Sequence, residues 1–257
     1  MTKIFVLPDA QVKPDSDITC LLNASQYIVD KKPDVVVCLG DFADMPSLSS
    51  YDVGKKSFEG RRYINDINAA NAAMEAFLDP IRKEQARLIK NKEKRWNPRL
   101  VLTLGNHEAR INRAVENDPK LEGLVKMEDL KYEEYGWEVY PFLEPVVIEG
   151  VVFSHYFTSG VMGRPVVSAS ALISKKHQSC IAGHQQGRQV AYGTKADGST
   201  ITSMIIGSFY SHDEDYLGHQ GNKHYRGCAM LHEVKEGSFD EMFISLDYLS
   251  KKYGEKK

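Results

Sequence analysis

Five short segments carry the side chains of this sequence best suited to chemistry: Asp9-Ala10-Gln11, Gly40-Asp41-Phe42-Ala43-Asp44, Gly105-Asn106-His107-Glu108, Ser154-His155 and Gly183-His184-Gln185-Gln186. Each ends an apolar run, as Val35-Val36-Val37-Cys38-Leu39 does before Gly40 and Leu100-Val101-Leu102 before Gly105. An apolar strand that stops at glycine and then presents Asn, His and Glu is poor core material. It is a good way to hold polar side chains at the carboxyl edge of a sheet, where open α/β sheets place their ligands. Carboxylates, amide oxygens and imidazoles are donors for divalent cations. Two such cations roughly 3.5–4 Å apart need a bridging carboxylate with oxygen or imidazole donors on each side, and together they clamp a phosphoryl group and generate a hydroxide nucleophile.

The elements that must position these residues follow from periodicity. Lys3 to Pro8 reads as a buried strand ending at Asp9. Residues 17–32, apolar at Ile18, Leu21, Leu22, Ile28 and Val29, predict an amphipathic helix closed by Lys31-Lys32-Pro33. The strand at 35–40 follows at once, giving a βαβ unit with a right-handed crossover. Met45 to Gly60 is polar and loop-like. Arg62 to Lys94, with Ile64, Ile67, Ala70, Met74, Phe77, Ile81 and Leu88 at helical spacing, reads as one or two helices broken near Pro80. Its charges from Arg82 to Arg95 read first as a solvated face, with a substrate-facing rim as the alternative. A polar helical region at 107–135 follows the strand at 100–105.

From Trp137 the texture becomes β, with strands at 137–140, 145–149, 151–155, 179–183, 188–192, 201–207, 227–234 and 240–246 and turns at Glu149-Gly150, Asp197-Gly198 and Glu236-Gly237. This half reads as mostly antiparallel, and Lys251 to Lys257 as a frayed tail. The expectation is an α/β fold, a four-layer αββα sandwich of two mixed sheets flanked by helices. It forms one domain over 1–250 with a helical insertion at about 45–98.

Composition bounds the function. The 257 residues are 42% hydrophobic and 26% charged, enough for an ordinary core and unlike a disordered chain. The net charge of −2 disfavours a globally basic nucleic-acid binder. Cys20, Cys38, Cys180 and Cys228 lie far apart, as reduced thiols of a cytoplasmic protein do. No run approaches the roughly 18 apolar residues of a membrane span, and Met1-Thr2-Lys3 leads into a strand rather than a signal peptide.

In order, residue types and placement, the five segments resemble the calcineurin-like metallophosphoesterase family, whose pattern is D-x-H, G-D-x-x-D, G-N-H-[DE], a lone H and then G-H-x-H. The resemblance spans about residues 4–186. It implies a binuclear metal-dependent phosphoesterase in which Asp41 bridges two divalent ions, Asn106, His155 and His184 complete one of them, and Asp9 belongs to the other. It also implies direct attack on a phosphate ester by a metal-bound hydroxide, without a covalent phospho-enzyme. His107 is then the general acid, oriented by Asp44, whose carboxylate favours the imidazolium. Glu108 and Arg110 fit a supporting shell, with phosphate binding by Arg110, beside Asn106 and His107, as the alternative.

The sequence departs from that pattern twice, at Gln11 and Gln186, where the family carries histidines. Both departures fall on the same metal. Some branches acting on nucleotide diphosphate compounds resemble this chain in carrying D-x-Q. An amide oxygen is a harder and weaker donor than imidazole, so the set Asp9, Gln11, Asp41 and Gln186 should prefer Mn²⁺ or Mg²⁺ to Zn²⁺, with iron a further candidate. One tight and one labile site are expected.

The substrate leans to a phosphodiester, a nucleic acid or a nucleotide, with a phosphomonoester as the alternative. Met45 stands where a calcineurin-type protein phosphatase usually has Arg, which argues against that reading. The compact, insertion-bearing form also looks like metallophosphoesterases encoded by bacterial viruses. A rival of another class is a non-catalytic metal- or nucleotide-binding protein with a degraded site, but such a site has no need of His107 and Asp44. His212, Asp213, Glu214, Asp215, His219 and His224 form a polar loop that either lines the pocket rim or lies on the surface.

Overall fold

Residues 4–7 alternate between two apolar layers. Ile4 and Val6 pack one way, Phe5 and Leu7 the other, and all four are fully buried. A strand covered on both faces belongs to a parallel sheet sandwiched between layers. The structure, a computed structural model, describes residues 1–214 and 218–254. In chain order it runs β1 (Thr2–Leu7), α1 (Thr19–Lys31), β2 (Val35–Cys38), α2 (Tyr63–Lys90), β3 (Arg99–Thr103), α3 (Arg110–Asn117), β4 (Glu138–Tyr140), β5 (Val146–Ile148), β6 (Val151–Ser154), β7 (Thr158–Ser159) and β8 (Arg164–Pro165). It continues with α4 (Ala169–Lys176), β9 (Cys180–Ala182), β10 (Gln189–Thr194), β11 (Thr200–Ile205), α5 (Gly218–Gly221), β12 (Gly227–Lys235), β13 (Ser238–Ser245) and α6 (Leu246–Tyr253).

The first sheet has the order β13-β12-β1-β2-β3-β4, with β1 to β4 parallel and β12 and β13 antiparallel. The second has the order β10-β11-β9-β6-β5, with a parallel centre and an antiparallel strand at each edge. Ile4, Val6, Val37 and Val101 meet Phe153, Ile181 and Met204 between the sheets. Phe5, Leu7 and Val36 pack outward against Leu21 and Tyr27 of α1, Phe77 of α2 and Leu249 of α6. On the far side Val152, Cys180 and Ile205 pack on Leu172 of α4. The fold is the αββα sandwich of two mixed sheets.

Four details depart from the periodicity reading. The chain after Trp137 is mostly antiparallel as expected, but β6, β9 and β11 form a parallel centre within it, and β12 and β13 return to the first sheet. Pairing over such separations leaves no local trace. Next, α2 runs unbroken for 28 residues through Pro80. An interior proline costs about 3 kcal/mol, and the buried Phe77, Leu78 and Ile81 beside it offset that at roughly 1.5–3 kcal/mol each. Third, the region 107–135 holds only α3 and short 3₁₀ turns at Pro119–Leu121 and Met127–Leu130. Last, Lys251 to Tyr253 close α6 rather than fray; the Ser245 hydroxyl caps its start, and Tyr253 packs edge-on against Tyr27.

The charged end of α2 is a solvated face at the amino edge of the sheet. Lys32 meets Glu84 at 2.7 Å, the Trp96 indole donates to the Pro33 carbonyl, and Arg87 pairs with Glu84 and Glu93. A helix of this length spans roughly 42 Å at 1.5 Å per residue. Its other end, where Asp66 accepts the Ser47 N–H at 2.9 Å, borders the segment after Asp44. The rim reading of Arg82 to Arg95 is therefore not what the structure gives. Among the described residues all four cysteines are free, and no helix is long and apolar enough to cross a membrane.

Candidate active site

The carboxyl ends of β1 and β2 continue as a two-rail turn. Gln11 N–H donates to the Asp41 carbonyl at 2.8 Å, Val12 N–H to Phe42 at 2.7 Å, and Asp44 N–H back to Val12 at 2.8 Å. The end of β3 comes so close that only glycine fits: a Cβ on Gly40 would lie 2.4 Å from Gly105 N, and one on Gly105 would lie 2.1 Å from Asp41 Oδ1. Gln11, Asp41 and His184 all hold a positive φ, at 45°, 48° and 62°. Non-glycine residues in that region cost of order 1–3 kcal/mol each and gather at functional sites. Glu108, fully buried, locks the turn by accepting the N–H groups of Asp41 (2.9 Å), Ala43 (3.0 Å) and Gly105 (3.0 Å), with the Tyr132 hydroxyl at 3.4 Å.

Onto this frame the chain brings Asp41, Asn106, His155 and His184. Asp41 Oδ1 accepts the backbone N–H of His107 at 2.8 Å, while Oδ2 lies 3.2 Å from His155 Nε2. His155 Nδ1 faces the Leu39 carbonyl at 2.8 Å, and a carbonyl only accepts, so Nδ1 carries the hydrogen. That leaves the Nε2 lone pair turned toward Asp41 Oδ2 and, at 2.9 Å, Asn106 Oδ1. A metal-ligating histidine is held in the same manner, its other N–H on a carbonyl. Donor atoms of Asp41, His155 and His184 all lie within 4.8 Å of one another. Three lone-pair atoms pointed together repel unless positive charge sits among them, so the donor set fits a divalent cation.

The electrostatics agree. Burial favours neutral His155, yet the Asp41 and Asp9 carboxylates outweigh it and lift the ring to about 9, so a proton and a cation compete for Nε2 as the positive charge the cluster calls for. Burial, with His155 nearby, holds His184 down to about 4, in the neutral form that ligates. Burial also opposes charge on Asp41, but His107 and His155 override it and keep the carboxyl well below its usual range. Asp9 accepts the His184 N–H with both oxygens, at 3.1 and 3.0 Å, and burial pushes it up to about 7. Gln186 donates to the Tyr210 hydroxyl at 3.4 Å, and Gln11, mostly buried, enters through its backbone bond to Asp41.

Beside this cluster stands a second unit. His107 Nδ1 is 2.7 Å from Asp44 Oδ1, and Nε2 is 3.1 Å from Arg110 Nη2. Arg110 Nη1 donates to the Asp44 and Met45 carbonyls at 2.7 and 3.3 Å, which fixes the loop that carries Asp44. Burial alone would lower His107, but Asp41 and the Asp44 hydrogen bond raise it above the ordinary imidazole range.

Some neighbours carry no sequence signal of their own. Tyr132 reaches Glu108 from 24 residues away, and the Tyr156 ring lies 4.7 Å from that of His184. Lys13 stands 3.9 Å from Asp44 Oδ2 and 3.4 Å from Glu214; its place two residues after Gln11 was the one hint. The polar loop splits. His212 and Glu214 reach the rim through Lys13, His224 bonds Ser208 at 2.8 Å, and Asp213 and His219 are exposed. Asp215 lies outside the described residues.

The calcineurin-like phosphoesterase family model matches residues 2–184. Among solved structures the chain is similar to Yfce, a phosphoesterase from E. coli, with TM-score 0.37 and 10% identity over 95% of this chain and 99% of that one. It is similar to a dimetal phosphatase from Danio rerio, with TM-score 0.36 and 11% identity over 95% and 99%. It is also similar to GAP50, the anchor in the inner membrane complex of Plasmodium, with TM-score 0.34 and 12% identity over 99% and 86%. No curated protein sequence matches. With the match running from the first strand to His184, the chain belongs to the calcineurin-like phosphoesterase family.

Proposed function

We propose that this protein is a binuclear-metal phosphodiesterase acting on a nucleic acid or nucleotide, with Mn²⁺ as its preferred ion. The observation that carries the reading is the meeting of Asp41, Asn106, His155 and His184 donors beside an independent His107–Asp44 pair. Asp41, Asn106, His155 and His184 would hold one ion, and Asp9, Gln11, Asp41 and Gln186 the other. When bound, divalent ions supply Lewis acidity toward the phosphoryl oxygens and lower the pKa of water. The amide oxygens of Gln11 and Gln186 make the second site the weaker one and turn it toward Mn²⁺ or Mg²⁺.

The residues of the chain do the remainder. Hydrolysis joins the oxygen of water to phosphorus and breaks the ester P–O bond, and the departing oxygen must gain a proton. His107 Nε2 supplies it, while Asp44 holds Nδ1. Arg110 Nη2, which can only donate, stands 3.1 Å from Nε2, so it turns onto the entering anionic oxygen when Nε2 carries the proton, and that oxygen meets guanidinium and imidazolium together. The cations nearest His107 are already engaged: Arg110 with Asp44 and Met45, Lys13 with Asp44 and Glu214, and Arg113 with the Asn106 carbonyl. A singly charged diester needs less free positive charge than a monoester dianion, which supports the diester reading.

The test is turnover of bis-p-nitrophenyl phosphate and p-nitrophenyl phosphate with Mn²⁺, alongside calorimetry. Expected are faster diester cleavage, loss of turnover on chelation, and one tight and one weak site. His107→Gln should lower turnover of an alkyl ester by about 10²-fold or more with Mn²⁺ binding unchanged. Absence of Mn²⁺-dependent turnover of either compound sinks the enzyme reading; faster monoester cleavage overturns the substrate class.

A further inference from the structure

The outer side of the His107–Asp44 pair is built by residues outside the five family segments. Asp44 divides its carboxylate: Oδ1 faces His107 Nδ1 at 2.7 Å, and Oδ2 faces Lys13 Nζ at 3.9 Å. Arg110 Nη1, at 3.7 Å, stands on the Oδ1 side already taken by His107. Lys13 is therefore the cation on the second oxygen. Lys13 Nζ also lies 3.4 Å from Glu214 Oε1, the same oxygen that His212 Nε2 meets at 2.6 Å. The side chains of Asp44 and Glu214 are only 13% and 17% exposed and that of Lys13 is 32% exposed, so the two carboxylates are largely shielded while the ammonium between them keeps some contact with water.

Glu214 is itself fixed. The Asn222 amide accepts its N–H and donates to its carbonyl, both at 2.8 Å. His212 stacks on the Tyr210 ring at 4.4 Å between centroids and 19° between planes. Phe209 N–H donates to the Asp9 carbonyl at 2.7 Å, which anchors the whole segment to the end of β1. The terminal torsion of an aspartate is soft and nearly two-fold. A carboxylate tethered through one oxygen swings and exchanges its oxygens; a cation on the other oxygen removes that freedom.

We infer that Lys13, held by Glu214, is a positioning residue that fixes the Asp44 carboxylate so that His107 presents Nε2 to the departing oxygen. The inference rests on the reading of His107 as proton donor. It adds that the segment 208–214 takes part in leaving-group protonation through an ion pair.

The test exploits leaving groups. A p-nitrophenolate leaves without a proton and an alkoxide does not, so a positioning defect must discriminate between them. Lys13→Met, Lys13→Arg, Glu214→Gln and His107→Gln are compared with wild type in Mn²⁺. The substrates are bis-p-nitrophenyl phosphate and thymidylyl-thymidine, or p-nitrophenyl phosphate and glycerol phosphate if monoesters are preferred. Lys13→Met is expected to lower kcat on the alkyl ester about 10-fold or more and on the nitrophenyl ester about 3-fold or less, a part of the full general-acid contribution. KM, inhibition by inorganic phosphate and Mn²⁺ affinity stay put, Lys13→Arg recovers most of the loss, and Glu214→Gln shows a smaller loss of the same selectivity.

Equal losses on both esters in Lys13→Met, or a raised KM with weaker phosphate inhibition, overturn the inference while a selective His107→Gln leaves the proton-donor reading standing. If His107→Gln is itself unselective, the proton-donor reading fails and takes the inference with it. Should Lys13→Met melt early, the part-buried Glu214–Lys13 contact is tested by Glu214→Gln alone, with the same selectivity required.

Discussion

Asp41→Asn is expected to lower turnover by on the order of 10³-fold or more and to remove the tight Mn²⁺ site while the protein still folds. The amide has the size of the carboxylate, and its oxygen can keep the His107 N–H that Oδ1 now accepts at 2.8 Å. The NH₂ group then takes the place of Oδ2 and points a hydrogen at His155 Nε2, 3.2 Å away. His155 cannot turn its ring to escape, because Nδ1 is spent on the Leu39 carbonyl. Two losses coincide: the anionic donor nearest the centre of the cluster, and the lone pair of His155. Each of Asn106, His155 and His184 alone is neutral and a weaker attractor of a cation than a carboxylate. Calorimetry with Mn²⁺ and turnover on the better nitrophenyl ester check the pair of effects. Retention of more than about a tenth of wild-type turnover with one tight Mn²⁺ site would remove Asp41 from the centre of the site.

The parts of this molecule that were legible in the sequence are those written in neighbouring residues. A strand end followed by Gly-Asp or Gly-Asn-His is a local pattern, and the close approach of Gly40, Asp41 and Gly105 explains it: the site needs strands that stop together with no side chain between them. The hairpins at Glu149-Gly150 and Glu236-Gly237 were legible for the same reason, since both residues of each pair hold a positive φ and the turn type demands it. What was not legible is set by distant packing. Nothing near Pro80 tells that the flanking apolar residues bury deeply enough to carry the helix through. Nothing near Cys228 tells that β12 will pair with β1 across more than two hundred residues. The link from Lys13 to Glu214 is of this kind, because both are ordinary surface residues until the segment after β11 folds back onto Asp9. Gln11 and Gln186 were visible as departures from the family pattern, but what each amide does depends on partners such as Tyr210, which no spacing rule supplies.

The largest effect on stability is expected at Glu108, a residue that touches no substrate in this reading. Its Oε2 accepts Asp41 N–H and Gly105 N–H at 2.9 and 3.0 Å, and its Oε1 accepts Ala43 N–H at 3.0 Å with Tyr132 beside it at 3.4 Å. Every hydrogen-bonding partner of this fully buried side chain has a hydrogen to give, so only a group with two accepting oxygens suits the place. Glu108→Gln turns one oxygen into an NH₂ that faces at least one backbone N–H, with no water to relieve it. A buried donor left without an acceptor costs about 1–3 kcal/mol, and the collision of two donors adds to that, so a loss of about 3 kcal/mol is expected. For a chain of this size that corresponds to a fall of roughly 6–12 °C in Tm. Tyr132→Phe, which deletes the weakest of the four contacts, should cost about 1 kcal/mol or less. The same frame holds Asp41 at its positive φ, so Glu108→Gln should also weaken Mn²⁺ binding, an effect Tyr132→Phe largely lacks. Thermal melting of the three proteins with and without Mn²⁺ separates the possibilities. If Glu108→Gln melts within about 2 °C of wild type, the three backbone bonds are not what holds the strand ends together, and the close packing at Gly40 and Gly105 must do it alone.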